Sequence, residues 1–256
     1  MIRIAHISDL HFGEATHADV LALAADITGQ AVDAIAVSGD LTRHAKREEF
    51  IAAIAFLEAL GKPLLVVPGN HDIPRFNLYS RFFHPRRRWL AARPASFAEG
   101  LSLGGWRLLG LDTVSRAHWH LDWAAGAIRS SRREALRARL AVLPRDGRSI
   151  VVCHHPLRHP TWAAGRHPPR GAEATLALLE ETGVRAVLCG HLHRSEVTRL
   201  PRGETWQVVA PSALSPRGSG APNGWNLIEA GDELRLETRE FRDGGYTGRA
   251  VPLTGR

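Results

Sequence analysis

Mainly apolar runs recur along this 256-residue chain, and five of them lead directly into a small polar motif. Ile2–Ile7 leads into Asp9-Leu10-His11, Ala34–Val37 into Gly39-Asp40, and residues 64–67 into Gly69-Asn70-His71-Asp72. Ser149–Cys153 leads into His154-His155-Pro156, and residues 185–189 into Gly190-His191-Leu192-His193. Short unbroken apolar runs predict strands covered on both faces. Helical spacing fills several of the gaps: residues 18–30 align Val20, Leu23 and Ile27, and residues 46–60 align Phe50, Ile54 and Leu57. Gly61 and Pro63 stop the second of these helices. Strand–helix alternation of this kind predicts an α/β fold of two packed sheets flanked by helices, with all five motifs at one sheet edge.

The remaining elements follow from the same patterns. Residues 73–94 are aromatic, arginine-rich and aperiodic, which predicts an irregular insertion. Strands are expected at 101–103 and Trp106–Leu111, and a helix over about Ala172 to Glu181. Ser131-Arg132-Arg133-Glu134 reads as a capping box opening a helix that ends near Leu143. From about residue 205 the chain reads as β-structure, with Gly231-Asp232 as a hairpin turn. No repeat or low-complexity linker divides the chain, so residues 1–256 are expected to form one domain.

Composition bounds the function. No stretch approaches the roughly 20 apolar residues of a membrane helix. The first strand runs straight into Asp9 and His11, so cleavage of a leader there would remove the motif; a cytoplasmic location is expected. Cys153 and Cys189 are expected to be reduced and buried rather than bridged. The net charge of +7 and pI near 10.5 favour acidic partners, phosphate esters or nucleic acid among them.

The motifs together offer a donor set for a pair of divalent metal ions, since imidazole, carboxylate and amide oxygen suit first-row metals without any thiolate. Asp9 and His11 stand at i and i+2, as do His191 and His193, a spacing that places both side chains on one face of extended chain. Gly190 is expected to let the chain turn tightly. Asp40 is a lone carboxylate able to bridge two cations, Asn70 offers a neutral oxygen, and His154 follows its strand as a single donor.

In order and spacing, Asp-x-His, Gly-Asp, Gly-Asn-His-Asp, His and Gly-His-x-His, the chain resembles the calcineurin-like metallophosphoesterases, with every element present between residues 9 and 193. The resemblance implies a four-layer αββα sandwich and two divalent or mixed-valence ions of Fe, Mn, Zn or Co. It implies that Asp9, His11 and His193 bind one ion and Asn70, His154 and His191 the other, with Asp40 between them. It further implies in-line attack on phosphorus by hydroxide generated at the metals, with His71 as general acid and Asp72 orienting or charging it. His155 and Arg75 are expected at the substrate. Gly69-Asn70-His71-Asp72-Ile73-Pro74 and Ala210-Pro211-Ser212 are similar to the bacterial cyclic-nucleotide phosphodiesterase branch.

The substrate expected on these grounds is a small phosphodiester such as a 3′,5′-cyclic nucleotide. Alternatives on the same fold are a DNA or RNA nuclease, suggested by the arginine-rich insertion and high pI, a phosphomonoesterase, or a non-catalytic metal-stabilised scaffold. Trp119, Trp123 and Trp162 read as packing residues or stacking faces near a pocket, and His118 and His120 are equally open. Arg86, Arg87 and Arg88 read as a solvated basic face. The sequence leaves the oligomeric state open.

Overall fold

The chain builds two β-sheets face to face with helices on both outer sides. The computed structural model describes residues 1–75, 77–115, 124–144, 146, 148–201, 203–215 and 220–253. The first sheet contains β1 (Ile2–Ile7), β2 (Ala34–Val37), β3 (Leu64–Val66) and β4 (Phe97–Ala98), all parallel. The second contains β5 (Gly100–Leu103), β6 (Trp106–Leu111), β7 (Ser149–Cys153), β8 (Ala186–Cys189), β9 (Glu196–Arg199) and β10 (Trp206–Val209). In it β6, β7, β8 and β10 run parallel, and β5 and β9 close the edges antiparallel. The last three strands, β11 (Gly224–Ala230), β12 (Leu234–Arg242) and β13 (Gly245–Val251), return to the first sheet as an antiparallel meander on β1. The orders are β13-β12-β11-β1-β2-β3-β4 and β5-β6-β7-β8-β10-β9.

Side-chain alternation explains why the central strands are apolar throughout. Ile2 and Ile4 of β1 point into a core shared with Ile150, Val152 and Leu188 of the other sheet. Ala5 and Ile7 point outward against Leu23 and Ile27 of α1 (His17–Gly29) and Phe50 and Leu57 of α2 (Arg47–Ala59). On the opposite side Val151 and Val187 pack on Leu136 and Leu140 of α5 (Ser130–Ala141) and Leu176 and Leu179 of α6 (Ala172–Glu181). These cores account for the four layers. Parallel strands put their C-terminal ends on one side of a sheet, where α/β folds place their sites. β1, β2, β3, β7 and β8 deliver their following loops there.

Three local readings differ from the sequence expectation. Residues 73–94 carry two short helices, α3 (Leu78–Phe83) and α4 (Arg87–Ala92). Six residues are too few to show a period, and a tertiary anchor holds each: Arg81 is buried with Nη1 donating to the Pro74 carbonyl, and Trp89 packs on Phe50 and Phe97. Two of the three arginines at 86–88 are engaged: Arg86 pairs with Asp112 at 2.7 Å, and Arg88 Nη1 donates to the Ala45 carbonyl, while Arg87 is exposed. The capping box at Ser131 does not form. The helix begins at Ser130 behind Arg129, with no side-chain cap, and Arg132 instead reaches the Asp112 and Val114 carbonyls. Finally β4, β9 and β13 are short, polar or glycine-rich edge strands without an apolar signature. Among the described residues, no helix is long and apolar enough to cross a membrane.

Candidate metal centre

The chain leaves β1 at Ile7, β2 at Val37 and β8 at Cys189 through left-handed backbone rather than a continued extended path. Asp9 (φ 52°), His11 (φ 44°), Asp40 (φ 54°), His191 (φ 72°) and His193 (φ 57°) all hold positive φ. Side chains other than glycine rarely accept that conformation, and such strain persists where surrounding structure enforces it. The donor side chains of these loops converge. Backbone bonds fix the loops to one another: Asp9 N–H donates to Gly39 O at 3.1 Å, and His11 N–H to Asp40 O at 3.0 Å. Gly190 serves differently from the tight turn expected of it. It has no positive φ, and a Cβ there would overlap Ser8 Oγ and Asp9 Oδ2. Gly69 likewise leaves room for the Asp40 carboxylate.

Seven of the sequence-predicted residues meet at one point. His193 Nε2 lies 3.1 Å from Asp9 Oδ1, and His11 Nε2 lies 3.7 Å from both Asp9 Oδ1 and Asp40 Oδ2. His154 Nε2 lies 3.4 Å from the same Asp40 Oδ2. Asn70 Oδ1 stands 3.0 Å from His154 Nε2 and 3.0 Å from His191 Nδ1. Asp40 Oδ2 is therefore the atom common to two donor groups, one with Asp9, His11 and His193 and one with Asn70, His154 and His191.

The chemistry of these contacts fits cations. His154 Nδ1–H donates to the Ser38 carbonyl at 2.7 Å, which leaves Nε2 as a bare lone pair aimed at two oxygens. The ring nitrogens of His11 and His193 face each other at 3.3 Å. Asp9 Oδ1 is fully buried and, among the described residues, no donor meets it in hydrogen-bond geometry although His193 Nε2 is 3.1 Å away, a costly state for a carboxylate oxygen. Lone pairs directed at lone pairs in a buried cluster are the arrangement that a metal ion resolves, and the carbonyl behind His154 supplies the outer contact that fixes a ligand tautomer.

Electrostatics follow the same geometry. Burial would raise the Asp9 carboxyl, but His193 and His11 hold it well below its ordinary range. Burial likewise opposes ionisation of Asp40, and His154, His71 and His11 outweigh it. Burial lowers His11 but the Asp9 and Asp40 carboxylates beside it prevail, taking it up to about 9. His191 is driven well down by burial and by His155 and His154, which keeps it in the neutral form that binds metal.

Two expected roles do not match the contacts. Asp72 does not reach the His71 ring. Its carboxylate accepts from the Leu41, Thr42 and Gly69 amides and from Thr42 Oγ1, at 2.9 to 3.2 Å, so it ties the Gly39-Asp40 loop to the Gly69–Asp72 turn. Burial and the neighbouring Asp40 push it up to about 6. His155 is buried and is not among the residues that line the cleft. Its Nε2–H donates to the Ala124 carbonyl and its Nδ1 accepts from Thr113 Oγ1, both at 2.8 Å, and burial takes it down to about 3. Its ring lies beside that of His191, tilted by 47° with centroids 4.7 Å apart.

His71 and Arg75 do line the cleft above the cluster, a space of about 510 Å³. The partner of His71 is Arg43, which sequence reasoning missed. His71 Nδ1 lies 2.9 Å from the Arg43 carbonyl and 3.0 Å from its Nη1, while Arg43 Nε donates to Glu14 at 2.8 Å. The signal was its position in the turn that follows Asp40. Arg166 and His167 also line the cleft without a sequence motif to mark them. Trp162 is not among the residues that line the cleft; its ring lies under Arg194, 5.1 Å from the guanidinium. Trp119, Trp123, His118 and His120 lie outside the described residues. Cys153 and Cys189 are buried free thiols with sulfurs 3.6 Å apart.

Comparison with known proteins agrees with this geometry. The family model described as calcineurin-like phosphoesterase matches residues 2–195. The chain is 30% identical over 210 residues to glycerophosphodiester phosphodiesterase GpdQ of Enterobacter lignolyticus, covering 77% of this chain and 72% of that protein. It is 28% identical over 184 residues to 3′,5′-cyclic adenosine monophosphate phosphodiesterase CpdA of Haemophilus influenzae, covering 71% of this chain and 61% of that one. Its fold is similar to that of a dimetal phosphatase from Danio rerio, with a TM-score of 0.67 at 13% identity over 93% of this chain and 96% of the other.

Proposed function

The chain belongs to the calcineurin-like phosphoesterase family, and from that premise we propose that it is a dinuclear phosphodiesterase acting on a small phosphodiester, such as a 3′,5′-cyclic nucleotide. The observation that carries the reading is the convergence of two donor groups on Asp40 Oδ2. Asp9, His11 and His193 would hold one ion, Asn70, His154 and His191 the other, and Asp40 both. Bound there, such a pair supplies Lewis acidity toward a phosphoryl oxygen and lowers the pKa of water.

The protein's own residues supply position and a proton. Arg43 engages His71 at Nδ1, so Nε2 is the ring nitrogen left for the substrate. His71 donates from Nε2 to the leaving alkoxide oxygen. Its main-chain N–H donates to Asp40 Oδ1 at 2.7 Å, which couples the position of the acid to that of the bridging carboxylate. Asp72 acts from behind by holding the two loops that carry Asp40 and His71. The two named phosphodiesterase relatives support a diester over a monoester.

The test is turnover of bis(p-nitrophenyl) phosphate, p-nitrophenyl phosphate, cyclic nucleotides and DNA by protein loaded in turn with Mn, Fe, Zn and Co. Diester cleavage exceeding monoester cleavage is expected. No turnover of any phosphodiester, with metal bound, would overturn the proposal.

A further inference from the structure

The wall of the cleft formed by residues 158–170 carries charge that the reaction centre does not use. Arg166 and His167 line the cleft with Arg75 and Arg43, and Asp40 is the one acidic residue among the described lining residues. Arg43 is paired with Glu14. Arg166 has no carboxylate partner among the described residues; its Nη1 makes a long contact, 3.4 Å, to the His191 carbonyl. Exposed arginines on loops are ordinary, but this loop is fixed. Trp162 Nε1 donates to Glu196 Oε2 at 3.1 Å, and its ring lies against Arg194. The Arg166 N–H donates to the Ala163 carbonyl at 2.9 Å, and His159 Nδ1 to the Arg166 carbonyl at 3.1 Å. Arg170 joins the wall to Gly126 and Ile128 by backbone bonds of 3.0 and 2.7 Å. The guanidinium is thus carried on an anchored segment beside the donor cluster.

A diester phosphate bears a single negative charge, and the cluster and His71 address it. A substrate with two neutral alcohol halves would bring Arg166 no counter-charge, and a guanidinium is the side chain best matched to a phosphate in fork geometry. A cleft of about 510 Å³ suits a small molecule. We propose that Arg166, with His167 beside it, binds a second phosphate carried on one of the substrate's alcohol halves. Resting on the phosphodiesterase reading, this narrows the class to small diesters with an additional phosphate. Unsubstituted cyclic nucleotides and glycerophosphodiesters are then its slower members.

The experiment compares two esters on Mn-loaded protein: thymidine 5′-(p-nitrophenyl phosphate) and the same ester bearing a 3′-phosphate. The expected result is kcat/KM about tenfold or more higher for the phosphorylated ester, the size of a charged hydrogen bond. Arg166→Gln should bring that ratio near one and Arg166→Lys should recover part of it, while Arg137→Gln on the distant α5 keeps it. Equal kcat/KM for the two esters, or a ratio that survives Arg166→Gln, would overturn the inference and leave the phosphodiesterase reading standing. Failure to cleave either ester, or bis(p-nitrophenyl) phosphate, would strike that reading itself.

Discussion

The donor group of Asp9, His11 and His193 stands on three left-handed backbone positions and contains its own carboxylate, whereas that of Asn70, His154 and His191 has one such position and only neutral donors. Both groups reach the cleft, through His193 in the first and through Asn70 and His191 in the second, while Asp9, His11 and His154 are buried. Charge, not access, thus separates the two groups. The neutral group draws all of its negative charge from Asp40, while the anionic group keeps Asp9 whatever happens at Asp40. The two groups should accordingly bind cations with different strength and fail in a definite order.

The largest effect should come from Asp40→Asn. Loss of bridging charge is expected to empty the neutral group first, leaving about one ion per chain and lowering kcat/KM by ~10³-fold or more, since metal-ion charge stabilisation is worth several kcal/mol. Metal analysis after dialysis checks it; retention of two ions would break the comparison. Next is His71→Ala, expected to cost about 10²-fold or more on diesters with alkoxide leaving groups and far less on p-nitrophenyl esters, which need little protonation. Equal losses on both would remove the general-acid role. Asn70→Ala should weaken one of the two bound ions by about 10- to 100-fold, a range that even outer-shell changes reach, and Asp9→Asn should weaken the other. Calorimetric titration distinguishes the two sites. Arg43→Ala should reproduce part of the His71 leaving-group pattern, at about tenfold, with both ions retained.

How far the sequence revealed this depends on what each feature needed. The five motifs and the strands before them were legible because burial on both faces leaves an unbroken apolar run, and because donor residues are chemically distinctive. The helix expected over about 172–181 forms over Ala172–Glu181. The left-handed phi values at Asp9 and His191 were not legible, because nothing in an Asp or a His requires that conformation; the packing of neighbouring loops does. Asp72 and His155 were assigned to chemistry since polar residues beside ligands read as functional, whereas each spends its polar atoms on backbone and hydroxyl partners. Arg43 and Arg166 were missed for the converse reason. Arginine is abundant here, and only the fold brings these two to the cleft.

A smaller effect concerns acid stability of the metal-free protein. Burial lowers His6 and His155 to about 3, so both stay neutral in the fold while the unfolded chain takes up protons below about 6.5. The unfolded state then binds more protons, and stability falls as pH drops from about 6.5 towards 3, by on the order of 3 kcal/mol per histidine. Asp72, raised to about 6, has the opposite sign: its contribution is present at low pH and lost as pH rises through about 6. Denaturant unfolding across this range should show a shallower acid loss for His155→Asn than for the parent chain.

The most direct measurement is electron paramagnetic resonance of the Mn(II)-loaded protein, combined with its metal content. Two ions sharing the Asp40 carboxylate should give two Mn per chain and an exchange-coupled spectrum that collapses to an isolated-ion signal in Asp40→Asn. One ion per chain in the parent protein, or two ions without coupling, would contradict a cluster bridged by Asp40.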